Sequence, residues 1–191
     1  MGQELTVVVT GSTGKQGGAV ARGLLERGHK VRAVTRDPNS SQAKLLANAG
    51  AMLVAASLED TAAIMKALEG ATSLFAMTTP FGGTDAETRQ GVAAAAAAKA
   101  AGVHLVFTSV GSANRQTGTP HFDSKYEVEK YIAKVDVRAT ILARSIALHF
   151  LQTDFWPGII SALPVIQEAI PAFARVKAGD RFKPRPSQLL F

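Results

Sequence analysis

No cysteine occurs among the 191 residues. That excludes disulfides, thiolate nucleophiles and cysteine-ligated metal, and no metal site of another kind is expected. A run of about eighteen apolar residues, the length a membrane-crossing helix requires, is also missing. No secretory leader is expected, because the first ten residues read directly into a strand, and the expected compartment is the cytoplasm. Met1-Gly2-Gln3-Glu4-Leu5-Thr6 fits the permissive myristoylation pattern, but lying against a strand it reads as coincidence. Acids are in the minority, 15 against 21 Lys and Arg, for a net charge of +6. Arg175, Lys177, Arg181, Lys183 and Arg185 face the single acid Asp180 in residues 171–191, so most of the excess sits in that tail. A basic tail suits an anionic surface or nucleic acid. A solvated end is the plainer reading, and nucleic acid is not an expected partner.

What is present is a globular composition, 47% hydrophobic and 19% charged, in a chain long enough for one domain with a sizeable core. Residues 5–10, "LTVVVT", are a continuous β-branched run, as expected of a strand buried on both faces. Helical spacing follows over 15–28, closed by Gly28. The alternation then repeats. Strands are predicted at 30–36, 51–56, 72–79, 103–110 and 137–144, and helices at 41–50, 59–70, 84–102 and 121–135. Acids at the start of the 59–70 helix suit its dipole. The alanine run inside 84–102 reads as helix propensity combined with close packing on a sheet rather than as low complexity. Strands and helices alternating at this pitch predict an α/β, doubly wound parallel sheet with helices on both sides and right-handed crossovers. From about His149 the pattern breaks, and Pro157, Pro164, Pro171, Pro184 and Pro186 fragment it. The expected organisation is a domain over 1–148 and a short, partly helical extension over 149–191.

Between the first strand and the first helix lies "TGSTGKQGG", residues 10–18. A helix start offers unpaired backbone N–H groups and a partial positive charge, and phosphate binds there if the backbone can come close. Gly11 allows the tight turn, Gly14 lets a pyrophosphate sit against the chain, and Gly17 lets the helix pack on the strand. Ser12, Thr13, Lys15 and Gln16 offer further donors. A glycine triplet alone is weak evidence, but strand, turn and helix within a βαβ unit are the context the motif requires. No Gly-Lys-Ser/Thr triplet closes the loop, which excludes a Walker A site. The expected ligand is therefore a dinucleotide. The end of the second strand, "VTRDP", discriminates between cofactors. An NAD site places a carboxylate there for the ribose 2′-OH, whereas Arg36, 19 residues beyond Gly17, can pair bidentately with a 2′-phosphate. NADP(H) is favoured over NAD(H). Asp37, if turned inward, would serve NAD instead. Arg32 is read as surface charge.

Four stretches in this order, "VTGSTGKQGGAVARGLLERGHKVRAVTRDP", "FAMTTPF", "AAKAAGVHLVFTSVGSA" and "GTPHFDSKYEVEKYI", resemble the NmrA-like family, atypical members of the short-chain dehydrogenase/reductase superfamily. The resemblance runs from about Leu5 to Leu142. It implies a Rossmann fold binding NADP(H) through the glycine turn and Arg36, with Thr78, Thr79, Pro80 and Phe81 near the ribose and nicotinamide side. It also implies a longer substrate region than this chain carries, since the text departs from the family after about Ala143. Ser57 stands where many relatives have an acid. The superfamily's Ser, Tyr and Lys are matched by Ser109, His121 and Lys125, so that His121 replaces the proton-donating tyrosine. Three roles remain open. His121 and Lys125 serve a reductase, Lys125 only holds cofactor ribose, or His121 merely starts its helix. Tyr126 points about 100° away from Lys125 and is a poor substitute. The family contains both NADP-responsive regulators and quinone-type reductases. The leading expectation is a redox-sensing, regulatory NADP(H)-binding protein acting through a protein partner. The alternative is an NADPH-dependent oxidoreductase of a small quinone or carbonyl.

Overall fold

The computed structural model describes residues 4–79, 82–111, 113–115 and 119–144. Pro80, Phe81 and the extension expected over 149–191, with its basic tail, lie outside the described residues. Among the described residues six strands form one parallel sheet: β1 (Thr6–Val9), β2 (Lys30–Thr35), β3 (Met52–Ala55), β4 (Ser73–Ala76), β5 (His104–Val110) and β6 (Ala139–Arg144). Their order is β3-β2-β1-β4-β5-β6, and every pairing is parallel. Chain order reverses between β1 and β4, so the crevice at the carboxyl ends of these two strands is the switch point at which such sheets bind ligands. The expected α/β, Rossmann-like fold is the one observed.

Among the described residues five α-helices cover the sheet: α1 (Lys15–Glu26), α2 (Ser41–Asn48), α3 (Thr61–Leu68), α4 (Gly83–Ala101) and α5 (Pro120–Val135). Side chains of a strand point alternately to opposite faces, so the sheet has two separate cores. Val7, Val9, Val31, Ala33 and Phe75 pack with Val20, Ala21 and Leu24 of α1 and Leu46 of α2. Val8, Val34, Leu74 and Phe107 pack on the other face with Ile64, Leu68, Val128 and Ile132. The alanines of α4 are explained here, for Ala94, Ala95, Ala97 and Ala98 are buried in this second core. α4 and α5 touch so closely at Gly91 that a Cβ there would overlap the Val128 side chain.

Helix ends show which side chains hold the frame. Ser40 caps α2 by accepting from the Ala43 N–H at 3.3 Å, and Asp60 caps α3 by accepting from the Ala63 N–H at 3.0 Å. The acid at the start of α3 works as its cap, with its charge at the positive end of the helix dipole. Arg32, read from the sequence as surface charge, is half-buried, and its guanidinium donates 2.6 Å hydrogen bonds to the Ala67 and Glu69 carbonyls. It satisfies the orphan carbonyls at the end of α3, and its period-2 position on β2 points it to that face. No helix among the described residues is long and apolar enough to cross a membrane.

Candidate functional site

The glycine turn has the shape its spacing predicts. Gly11 adopts φ +61°, and a Cβ there would sit 2.5 Å from the Met77 sulfur. The Gly14 N–H donates to the Gly11 carbonyl at 2.9 Å, closing the turn, and Gly14 is itself the N-cap residue of α1. A Cβ on Gly17 would lie 2.6 Å from the Thr10 carbonyl oxygen and still closer to that of Gly11. Only glycine lets α1 start so near the end of β1. No side chain caps α1 and its first turn holds no acid, so its opening N–H groups and partial positive charge remain available to an anion. Gly14 and Lys15 are exposed, Thr13 and Gln16 half-exposed. Ser12 differs from expectation: its hydroxyl is buried and donates to the Val34 carbonyl at 2.7 Å. It ties the turn to β2, and its hydroxyl proton is committed.

At the end of β2 the turn and Arg36 share one space. A pocket of about 260 Å³ is lined by Thr13, Thr35, Arg36, Asp37, Ser40 and Gln42. Arg36 is exposed there. The Asp37 carboxylate accepts from the Asn39 N–H at 2.9 Å, and its carbonyl accepts from the Ser40 hydroxyl at 2.9 Å. Asp37 is thus engaged in shaping the following turn.

On the other side of the switch point, Thr10 links β1 to the segment after β4. Its N–H donates to the Phe75 carbonyl at 3.0 Å, and its hydroxyl donates to the Met77 carbonyl and accepts from the Met77 N–H. Thr78 and Thr79 follow. The Thr79 N–H donates to the side-chain oxygen of Gln90 at 3.1 Å, and the Thr78 hydroxyl donates to Glu87 at 3.0 Å.

The residues matched to the superfamily triad are brought to this region, but with unexpected partners. The ammonium of Lys125 pairs with the Glu87 carboxylate at 3.1 Å, donates to the Thr108 carbonyl at 3.2 Å and to the Thr78 hydroxyl, and lies 5.2 Å from the centre of the Phe107 ring. The two side chains are only 8% and 1% exposed. The second oxygen of Glu87 accepts from the Ser124 hydroxyl at 2.7 Å. Burial pushes the Glu87 carboxyl up, but the Ser124 hydrogen bond and the Lys125 charge outweigh it and hold it below the usual carboxylate range. Burial pulls the Lys125 ammonium down, and the Glu87 and Glu129 charges only partly restore it. The hydroxyl of Ser109 donates to the Glu129 carboxylate, which burial pushes up. His121 is half-buried with its ring 5.4 Å from that of Phe122, and no described residue hydrogen-bonds to its imidazole. Tyr126 points elsewhere, beneath the Lys130 ammonium.

Glu87 and Glu129 escape the motif reading. A signal for Glu87 exists. It shares a helical face with Gly91, Ala94 and Ala98 (spacings of four, seven and eleven residues), and all of these are buried. An acid on an apolar face needs a buried cation. Glu129 lies four residues after Lys125, on the same side of α5.

A family model described as the NmrA-like family matches residues 3–159. FrzB of Cladobotryum sp., an oxidoreductase with an NmrA-like family domain, is 34% identical over 143 residues, covering 68% of this chain and 42% of that protein. Among solved structures, NmrA, a negative transcriptional regulator crystallised with NADP, aligns with a TM-score of 0.66 at 26% identity. The match covers 74% of this chain and 45% of that one. The NADPH-dependent quinone oxidoreductase of Escherichia coli, crystallised with NADPH, aligns with a TM-score of 0.65 at 25% identity, over 91% of this chain and 65% of that one. The chain thus spans less than half the length of FrzB and of NmrA. With the family model matching well over half of its residues, and with a glycine turn, switch point and sheet order of the kind described, this chain belongs to the NmrA-like family.

Proposed function

We propose that residues 1–148 form a cytoplasmic NADP(H)-binding domain and that the protein is a redox-sensing regulator whose partner-binding state follows the dinucleotide it holds. The observation that carries the binding half is the uncapped start of α1 beside glycines that admit no Cβ, with Thr13 of the same turn and Arg36 lining one pocket. The backbone at Gly14 to Gly17, with Thr13, Lys15 and Gln16 around it, takes the pyrophosphate. Arg36 takes the adenosine 2′-phosphate. Thr78, Thr79 and Lys125 stand on the ribose and nicotinamide side. When bound, the nicotinamide supplies a hydride donor or acceptor.

Two observations favour sensing over catalysis. Reduction of a carbonyl needs a proton donor beside it; apart from His121, whose imidazole no described residue orients, the candidates are engaged, the one hydroxyl proton of Ser109 being donated to Glu129. The ammonium protons of Lys125 are likewise directed at Glu87, Thr78 and Thr108. The second reading, an NADPH-dependent reductase of a small quinone or carbonyl, is favoured by the oxidoreductase named among the relatives. His121 and Lys125, one turn apart on α5, also suit it.

Titration with NADPH and NADH, followed by nicotinamide fluorescence, tests the binding half. NADPH is expected to bind more tightly than NADH. Arg36→Ala should erase about 1.5–3 kcal/mol of that preference, the range for hydrogen bonds to charged groups, or roughly ten- to a hundredfold. Equal affinities in the unaltered protein, or no binding of either nucleotide, would refute it. Offering a quinone panel to the same samples separates the two roles. Turnover that His121→Ala abolishes establishes the reductase, and binding without turnover supports the sensor.

A further inference from the structure

We infer that Glu87 is the positioning residue for Lys125, holding its ammonium charged and in place, so that this carboxylate on α4 sets the pH range over which the site takes a nicotinamide dinucleotide. The inference rests on the reading above, in which Lys125 stands at the ribose side of the site.

An ammonium has three protons, and here each has one oxygen: Glu87 from α4, Thr78 from the segment after β4, and the Thr108 carbonyl from β5. Only the Glu87 oxygen carries charge. The Phe107 ring of β5 covers one side at 5.2 Å. On α5 itself, Ser124 holds the far oxygen of Glu87 at 2.7 Å, and Glu129 lies one turn onward. Glu129 also lends its charge to Lys125, but as the smallest of the influences that oppose burial, and the ion pair at 3.1 Å is with Glu87. Without Glu87 the lysine would be a buried cation faced by two neutral oxygens, a situation in which amines surrender their proton. Burial already pulls Lys125 down, and the Glu87 charge is the largest influence opposing it.

The test uses Glu87→Gln, which keeps the shape of the side chain and removes its charge. In the nucleotide-free protein, the lysine side-chain carbon resonances are followed against pH, and the Lys125 signal is identified by its disappearance in Lys125→Met. The Lys125 midpoint is expected to fall by about one to three units in Glu87→Gln, the usual influence of a close opposite charge. The NADPH dissociation constant, measured over the same pH range, should begin to rise at correspondingly lower pH, and Lys125→Met should flatten the profile. If Glu87→Gln fails to fold, Ser124→Ala, which loosens the carboxylate, should move both readings in the same direction by less. Coincident midpoints in the variant and the unaltered protein would overturn the inference. So would a lowered midpoint with an unmoved NADPH profile, because Glu87 would then serve the fold alone. Absence of NADPH binding in the unaltered protein, with the midpoint still shifted, would instead refute the functional reading and leave the ion pair intact.

Discussion

Replacing Gly17 by alanine tests whether the turn is built for close approach. The added methyl would meet the Thr10 carbonyl oxygen at 2.6 Å and the Gly11 carbonyl more closely still. Both obstacles are backbone, so neither can swing aside, and the first turn of α1 must lift from β1. The lift strains the contacts of Val20, Ala21 and Leu24 with Val7 and Val9. Overpacking of this kind costs about 1–3 kcal/mol, and alanine returns about 1 kcal/mol of helix propensity. The net destabilisation is about 0–2 kcal/mol, read as a lowered urea midpoint with unchanged slope. Nucleotide affinity should suffer more, because the N–H groups at the helix start move with the lifted turn. An increase of about tenfold or more in the NADPH dissociation constant, equivalent to about 1.4 kcal/mol, is expected. Gly28→Ala is the control. Gly28 has φ +80° but nothing within 4 Å of a Cβ, so it should cost some stability through backbone strain and leave the affinity within about twofold. A Gly17→Ala protein that is folded and binds NADPH as tightly as before would refute the assignment of this turn.

Other consequences concern the frame. His104 is buried, hydrogen-bonded to Thr140 at 2.9 Å, and held at a pKa of about 4 by burial and by the Arg138 charge. With its folded pKa depressed, its contribution is full above about pH 6.5 and lost as pH falls through 4. That loss amounts to about 3 kcal/mol. His104→Gln should flatten the fall in urea midpoint between pH 7 and 4, and an unchanged slope would refute the assignment. Arg32→Ala should destabilise by about 1–3 kcal/mol through the bared carbonyls of α3. Early amide exchange in residues 61–69 should accompany it.

The fold was legible because its signals are local. β-Branched runs, helical spacing and closing glycines each act within a few residues, and the described strands and helices fall where they predict, with ends shifted by a residue or a few. The same holds for the geometry of the glycine turn, which is set by backbone space. The direction of Lys125 was not legible. Its partner sits on α4, and Ser124 beside it meets the same carboxylate across 37 residues of chain. Only the crossing of α4 and α5 at Gly91 brings them together. Arg32 failed for the same reason: the carbonyls it caps belong to a helix more than 30 residues downstream. Motif matching finds Ser109, His121 and Lys125, yet it says nothing about who receives their protons.

The Thr10 to Met77 stitching has a thermodynamic corollary. Two hydrogen bonds at one hydroxyl, one donated and one accepted, a backbone bond to Phe75 and the closeness of Gly11 to Met77 join the lips of the crevice on either side of the switch point. Each lip would otherwise fluctuate separately, and a ligand spanning both would have to arrest two loops. Joined, they are ordered before anything arrives, and the conformational entropy of that arrest has already been lost on folding. Binding energy gained along a dinucleotide can then appear as affinity.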